Sequence, residues 1–150
     1  MCTWNYRILG IEEGEALLFF SFFNEQGSIS FGDAEFTVRK HGPFSGRWTL
    51  ERDGRVFAEA RKPSAFFRSF ELAVGDEEFT VKAESAFTRC YEILSAGNRA
   101  GSIRPAHPFT RRASIVCADA VPIFAQLFAF WLVVITWRRA ANNNAASAGS

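Results

Sequence analysis

The stretch "VPIFAQLFAFWLVVITWRR", residues 121–139, is the most apolar segment of the chain and restricts the possible folds more than any other segment. Only Gln126 and Thr136 interrupt its apolar part, residues 121–137. As an α-helix this part would be about 25 Å long, at about 1.5 Å per residue. That length is near the short end for a bilayer core of about 30 Å. A helix that is apolar on all sides must be surrounded by lipid or by protein, so its composition leaves both a membrane span and a core helix open.

Upstream of this segment, apolar and polar residues alternate with a period of two, which indicates β-strands. Asp-Gly, Gly-Asp and Gly-Asn pairs separate the alternating runs, and such pairs favour tight hairpin turns. The motif EFTV at 35–38 recurs at 78–81, and the residues that follow each copy also correspond, which indicates an internal repeat of hairpins. The pattern predicts about eleven antiparallel strands, near residues 3–10, 15–24, 28–31, 35–41, 47–52, 55–61, 67–74, 77–83, 88–95, 99–104 and 111–116.

The predicted strands and the apolar segment are complementary. A closed barrel of about eleven strands has an interior wide enough for a central helix, and without one that interior would be unfilled. Pro122 suits the first turn of a helix after a cap at Asp119, and Arg138 and Arg139 suit its C-terminal end. We therefore predict a mainly β fold: a closed antiparallel barrel of about 11–12 strands in a hairpin meander, with one buried C-terminal hydrophobic helix. Residues 1–139 form this single domain, with the helix near 120–139, and residues 140–150 form a disordered tail.

This arrangement resembles the tubby C-terminal-like superfamily, which includes tubby, the phospholipid scramblases and the LURP-one-related proteins. The resemblance covers roughly residues 2–139 and rests on the run of hairpins, on "GRWTLERDGRVFAEARK" (46–62), on "YEILSAGNRAGSIR" (91–104) and on the terminal apolar helix followed by Arg-Arg. It implies a twelve-stranded barrel threaded by the C-terminal helix, association with lipid or a membrane surface, and no agreed catalysis. The lipid-contacting cations of tubby and the acidic calcium-type segment of scramblases have no matching positions in this chain.

Two functional hypotheses follow from the apolar segment. The first is a non-catalytic barrel that acts as a binding or membrane-peripheral module for lipid headgroups, cytoplasmic and monomeric. The second is a β domain that a transmembrane helix at 121–137 anchors in a membrane. Arginines flank this segment on both sides, which gives only a small preference for a cytoplasmic N-terminal domain in the second case.

Catalytic, metal and nucleic-acid sites have little support in the sequence. With 17 Lys and Arg against 16 Asp and Glu, the net charge is close to zero. This argues against a nucleic-acid partner, because proteins that bind nucleic acid are usually basic. The three cysteines are too far apart for a metal knuckle, and no dinucleotide or phosphate-binding loop is present, so we predict no metal and no cofactor. A hydrolase using Ser45 and His41 is a third hypothesis, but "GPFSG" (42–46) does not match a nucleophile elbow.

Four pairs of basic residues are the candidate contacts for an anion or a lipid headgroup. Nearby phenylalanines, at positions 44, 66, 67 and 109, could insert into lipid beside these charges, although a solvated barrel surface would also explain each pair. The pairs are Arg39 and Lys40, Arg61 and Lys62, Arg111 and Arg112, and Arg138 and Arg139.

Overall fold

Eleven β-strands and one α-helix form the described part of the chain, which the computed structural model covers over residues 5–11, 14–21, 23–42, 46–106 and 112–148. The strands are β1 (Tyr6–Ile11), β2 (Gly14–Phe20), β3 (Gly27–Phe31), β4 (Ala34–Lys40), β5 (Arg47–Arg52), β6 (Arg55–Arg61), β7 (Ser69–Val74), β8 (Glu77–Ala83), β9 (Tyr91–Ser95), β10 (Asn98–Pro105) and β11 (Ala113–Cys117). The helix, α1, is Ile123–Ala148. All eleven predicted strands are thus present, with small shifts at their ends.

The strands form because their alternating side chains face opposite sides of one sheet. In β4, for example, Phe36 and Val38 are buried whereas Thr37 and Arg39 are exposed. Tight turns join the hairpins where the sequence carries residues that tolerate positive φ. Asp53 and Gly54 have φ of 51° and 76°, the signs that a two-residue type I′ turn requires.

The strands pair in chain order, each antiparallel to the next, in a single eleven-stranded sheet from β1 to β11. This confirms the predicted antiparallel meander. No hydrogen-bonded pairing joins β1 to β11 within the described residues, so hydrogen bonds do not close the sheet into a barrel there.

The sheet nevertheless curls around α1. The helix contacts strands across the whole width of the sheet. The ring of Phe130 lies 5.1 Å from that of Tyr6 in the first strand, and Phe124 lies 5.0 Å from Phe36 in β4. At the other side of the sheet, the hydroxyl of Tyr91 in β9 donates to Thr136 Oγ1 at 2.8 Å. Residues 127–138 are consequently all buried, although they cover every side of the helix.

The helix is longer than the segment near 120–139 that the sequence predicts, and it includes most of the expected tail. Residues 140–146 are helical but exposed. Alanine has the highest helix propensity, so the alanines at 140, 141, 145 and 146 extend a helix that is already nucleated by the buried part. At about 1.5 Å per residue, residues 140–148 lengthen the helix by roughly 14 Å beyond Arg139, which still contacts Glu25.

Length and composition of α1 satisfy the criteria for a membrane span over Ile123–Ala146, with a mean hydropathy of 1.3. The protein itself buries 67% of that apolar window. A buried core helix and a membrane span share these properties of length and composition.

The antiparallel order gives the molecule two different ends. The end that we name the turn end carries the tight turns at 32–33, 53–54, 75–76 and 96–97 and the start of α1. The opposite end, which we name the loop end, carries five longer connections and the C-terminal part of α1. These connections are residues 21–26, 41–46, 62–68, 84–90 and 106–112.

Candidate functional site

Two of the predicted basic pairs lie at the C-terminal ends of β4 and β6, where the two members of each pair face opposite sides of the sheet. Arg39 and Arg61 lie on the outer face of the sheet, whereas their neighbours Lys40 and Lys62 continue the buried side of β4 and β6 at the loop end. This follows from the two-residue period of a strand, which sends adjacent side chains to opposite faces. Adjacent cations in the sequence therefore have different environments in the fold.

The outer members of these pairs are engaged in ion pairs along the sheet surface. Arg39 Nε lies 3.5 Å from a carboxylate oxygen of Glu51, and Arg61 Nε donates to Glu59 at 2.7 Å. Hydrogen bonds from Arg47 and then Arg61 lower the pKa of Glu59 to about 2. Exposed pairs of this kind contribute little to stability.

The inner members meet the end of α1 in a group that we name the mouth cluster: Glu25, Lys40, Lys62, Arg138 and Arg139. Glu25, whose side chain is only 12% exposed, accepts hydrogen bonds from Lys40 Nζ at 2.6 Å and from Arg139 through two nitrogens. Lys40 and Arg139 are the cations that contact this carboxylate, and the mouth cluster, with four cations and one carboxylate, has a net positive charge.

Arg138 holds the β2–β3 connection on the end of the helix. It is buried, and its guanidinium donates to the carbonyl oxygens of Ser21 at 2.8 Å and Asn24 at 2.5 Å. Burial lowers the pKa of Arg138, since desolvation disfavours the charged form. The role of Arg138 in this structure is to fix a loop, whereas Arg139 and Lys40 hold the carboxylate of that loop.

Lys62 organises the next connection. Its ammonium donates to the carbonyl oxygens of Ser64 at 2.5 Å and Phe67 at 2.9 Å. Burial, with a smaller effect from the nearby charge of Arg139, lowers the pKa of Lys62. The ammonium thus shapes the 62–68 connection from inside, which leaves the phenylalanine side chains of that connection outside.

Two further cations of the loop end, Arg68 and Arg89, were not among the predicted contacts. Arg68 donates to the carbonyl oxygens of Ser85 and Thr88, each at 2.7 Å, and Arg89 lies over the ring of Trp137 with 5.1 Å to its centroid. A sequence signal for them exists: Phe-x-Arg occurs at 66–68, 87–89 and 109–111, each time between two strands. The recurrence of this motif in successive connections marks one end of an antiparallel sheet.

The most exposed phenylalanines of the described residues all lie at the loop end. Phe66 is 94% exposed and Phe87 is 99% exposed, far more than a large apolar side chain in a core position. Phe23 and Phe67, also largely exposed, belong to the connections at 21–26 and 62–68. Aromatic side chains thus project into solvent from three of the connections at this end.

The turn end has the opposite charge character. Its turns carry exposed carboxylates, at Asp33, Asp53, Asp76 and Asp119. Cations are concentrated at the loop end and acids at the turn end, so the molecule has an electrostatic axis although its net charge is only +1.

Several predicted residues lie outside the described part of the chain: Arg111, Ser45, Phe44 and Phe109. Arg112, the partner of Arg111 in the last pair, is exposed at the loop end. Because Ser45 lies outside the described residues, the distance between Ser45 and His41 does not test the hydrolase hypothesis. The His41 ring lies 2.7 Å, through Nε2, from the hydroxyl of the buried Thr49, a contact that ties the β4–β5 connection to the sheet.

The described residues show neither a metal-binding group nor a reactive thiol. No group of three or more His, Cys, Asp or Glu is placed to hold a metal ion among the described residues. Cys90 and Cys117 are free, and burial raises the pKa of the Cys117 thiol to about 11, which disfavours the reactive thiolate.

Comparison of the chain with protein families, with curated proteins and with solved structures found no match.

The mouth cluster leads to a prediction about acid stability. The hydrogen bonds and charges of Arg139 and Lys40 together outweigh the effect of burial and lower the pKa of Glu25. A lowered folded-state pKa contributes stability that is present above the ordinary value of 4.5 and is lost as the pH falls through the folded value. We expect Glu25→Gln to reduce the free energy of unfolding by about 2 kcal/mol at pH 7 and by much less below pH 4.

Urea unfolding of both proteins at pH 7 and at several acidic pH values measures this difference. Glu78→Gln, at an exposed position on β8, is the matched control and should change the unfolding midpoint little at any pH. An equal loss for Glu25→Gln at pH 7 and at pH 3 would contradict a role for the Glu25 charge.

Proposed function

We propose that this protein is a non-catalytic, membrane-peripheral binding module that docks its loop end on an anionic lipid surface. The observation that carries the proposal is the difference between the two ends: exposed phenylalanines and cations at the loop end, tight acidic turns at the turn end. A negative surface would attract the first and repel the second, so the molecule would bind in one orientation. The cytoplasmic face of a membrane carries such a charge, and one monomer suffices to present the surface.

The fold that we associate with this function is a tubby-like barrel. The eleven-stranded meander and the buried C-terminal helix support that assignment, as does the contact of α1 with strands across the whole sheet. Closure of the sheet between β1 and β11 belongs to the same proposal.

Docking would combine two contributions. Each Lys or Arg near an anionic surface contributes about 1 kcal/mol, so four cations would give only millimolar affinity. Phe66, Phe67 and Phe87 can add to this, because burial of one phenylalanine in an apolar environment contributes about 1.5–3 kcal/mol. The three phenylalanines would thus contribute about 4.5–9 kcal/mol, and this contribution together with that of the cations would hold the protein on a membrane at physiological salt.

The exposed extension of α1 projects from the same end and must move for the loops to reach a flat surface. Residues 140–146 are exposed, so nothing outside the helix itself holds them in place. An unsupported helical end of this length is marginally stable in water and can unfold or bend at small cost. We expect a variant without residues 140–150 to bind vesicles at least as well as the full chain.

Co-sedimentation with vesicles tests the proposal. The protein should sediment with vesicles that contain anionic lipid and not with purely zwitterionic vesicles, and added salt should weaken the binding because it screens the charges. Phe87→Ser should lower the partition coefficient about tenfold, and Arg111→Glu with Arg112→Glu should lower it further. Equal sedimentation with both kinds of vesicle at low salt would exclude this function.

The turn end offers matched controls. Val56→Ser removes an exposed apolar side chain there, and Arg55→Glu reverses an exposed charge. Both variants should bind anionic vesicles like the unaltered chain, if the loop end is the docking surface.

The tail-anchored alternative predicts a different distribution in cells. A chain anchored through residues 121–137 would stay in the membrane fraction after carbonate extraction, whereas a docked chain would be released. Recovery of a β-rich monomer without detergent would likewise favour the docked module over the anchored one.

A further inference from the structure

A cleft of about 540 Å³ lies at the loop end between two neighbouring connections, residues 62–68 and 84–90. Its volume is in the range of pockets that bind small molecules. Most of the surface that faces the cleft is apolar. The side chains that form it include Pro63, Phe66, Phe67, Ala83 and Ala86, with Arg68 and Lys82 as its charged members.

The two connections are held apart and in register without a ligand. Arg68 donates to Ser85 O and Thr88 O, each at 2.7 Å, and so ties the first connection to the second. Lys62 donates to two carbonyl oxygens of its own connection, and a hydrogen bond from Phe66 N to Ser64 Oγ at 3.1 Å adds a turn there. A cleft that is already formed costs a ligand little conformational entropy on binding.

Charge at the cleft has one sign. Lys82 is its accessible ammonium: the side chain is 48% exposed, and its nearest carboxylate, that of Glu92, is 3.6 Å away and does not line the cleft. The guanidinium of Arg68 adds a second positive charge, although backbone carbonyls already accept hydrogen bonds from both of its terminal nitrogens. Among the residues that the structure describes, no carboxylate lines this cleft. An apolar wall with a cation at its rim complements a ligand with an apolar body and one anionic head.

We propose that this cleft binds a single-chain amphiphilic carboxylate, such as a free medium-chain fatty acid. The alkyl chain lies against Phe66, Phe67 and Ala86, and the carboxylate accepts a hydrogen bond from Lys82 Nζ. Binding of this kind does not require a bilayer, although the cleft shares Phe66 and Phe67 with the docking surface proposed above.

Titration with decanoate below its micellar concentration, followed by ligand-observed NMR and calorimetry, tests the site. The unaltered chain should bind decanoate, and decanol about tenfold more weakly, because the alcohol lacks the charge-assisted hydrogen bond. Lys82→Met should weaken decanoate binding about tenfold and leave decanol binding unchanged. Equal affinity for decanoate and decanol in the unaltered chain would overturn the proposal.

A second variant tests the place of binding. Ala86→Trp puts a large side chain into the cleft from an exposed loop position and should abolish binding of both compounds. Thr37→Trp, at an exposed position on the outer face of β4, is the matched control and should bind decanoate normally. Undiminished binding by a folded Ala86→Trp variant would place the ligand elsewhere and so contradict this site. If the protein binds decanoate but not vesicles, the cleft proposal stands and membrane docking is excluded. If it binds vesicles but not decanoate, membrane docking stands and the cleft proposal is excluded.

Discussion

Removal of residues 120–150 is expected to abolish the fold. The inner face of the sheet is apolar along its whole length, with residues such as Trp48, Phe70 and Ile93 almost completely buried. Without α1, these side chains would face water or an empty interior. Burial of Phe128, Phe130, Trp131, Leu132 and Ile135 alone contributes about 7–15 kcal/mol, as much as the entire stability of a typical domain.

Circular dichroism and size-exclusion chromatography of the truncated chain measure this effect. We expect loss of the cooperative thermal transition and aggregation. Removal of residues 140–150 is the matched control, because that segment is exposed over 140–146, and it should leave the transition in place. A folded, monomeric β domain ending at residue 119 would contradict a core role for α1 and would support the membrane anchor.

A carboxylate in the middle of α1 is expected to have the second largest effect. Phe128 and Leu132 are both 0% exposed and are surrounded by apolar side chains. In Phe128→Asp or Leu132→Asp the new charge would have no partner, and an unpaired buried charge costs several kcal/mol in addition to the lost apolar contacts. Since total stability is only about 5–15 kcal/mol, we expect both variants to be unfolded or aggregated at 25 °C.

Leu9→Asp separates this effect from a general intolerance of new charge. Leu9 lies on the outer face of β1 and is 71% exposed, so an aspartate there remains in water. This control should keep the cooperative transition within about 0.5 kcal/mol of the unaltered chain. If Leu132→Asp gave a soluble, stable β fold, the helix would not be the core of the sheet.

The candidate site shows where prediction from sequence ends. Adjacent basic residues were predicted to act as pairs, but a strand sends neighbours to opposite faces, so Lys40 and Lys62 join the mouth cluster while Arg39 and Arg61 do not. The partner of Lys40 and Arg139 is Glu25, which is far from Arg139 in sequence and has no motif around it. Such a group depends on how the chain returns to one end of the sheet.

The sequence by itself determined the strands and the helix, because hydrophobic periodicity and turn residues are local properties. Alternation with a period of two, interrupted at pairs such as Asp53-Gly54, is enough to specify eleven hairpin-connected strands. A long apolar run with only two polar residues is enough to specify a buried or membrane-embedded helix. Only the tertiary structure decided that the sheet wraps the helix, and that exposed phenylalanines and cations gather at one end while carboxylates gather at the other. Those features arise from contacts between residues distant in the chain, such as Arg138 with Ser21 and Tyr91 with Thr136, whose geometry follows from strand direction and register.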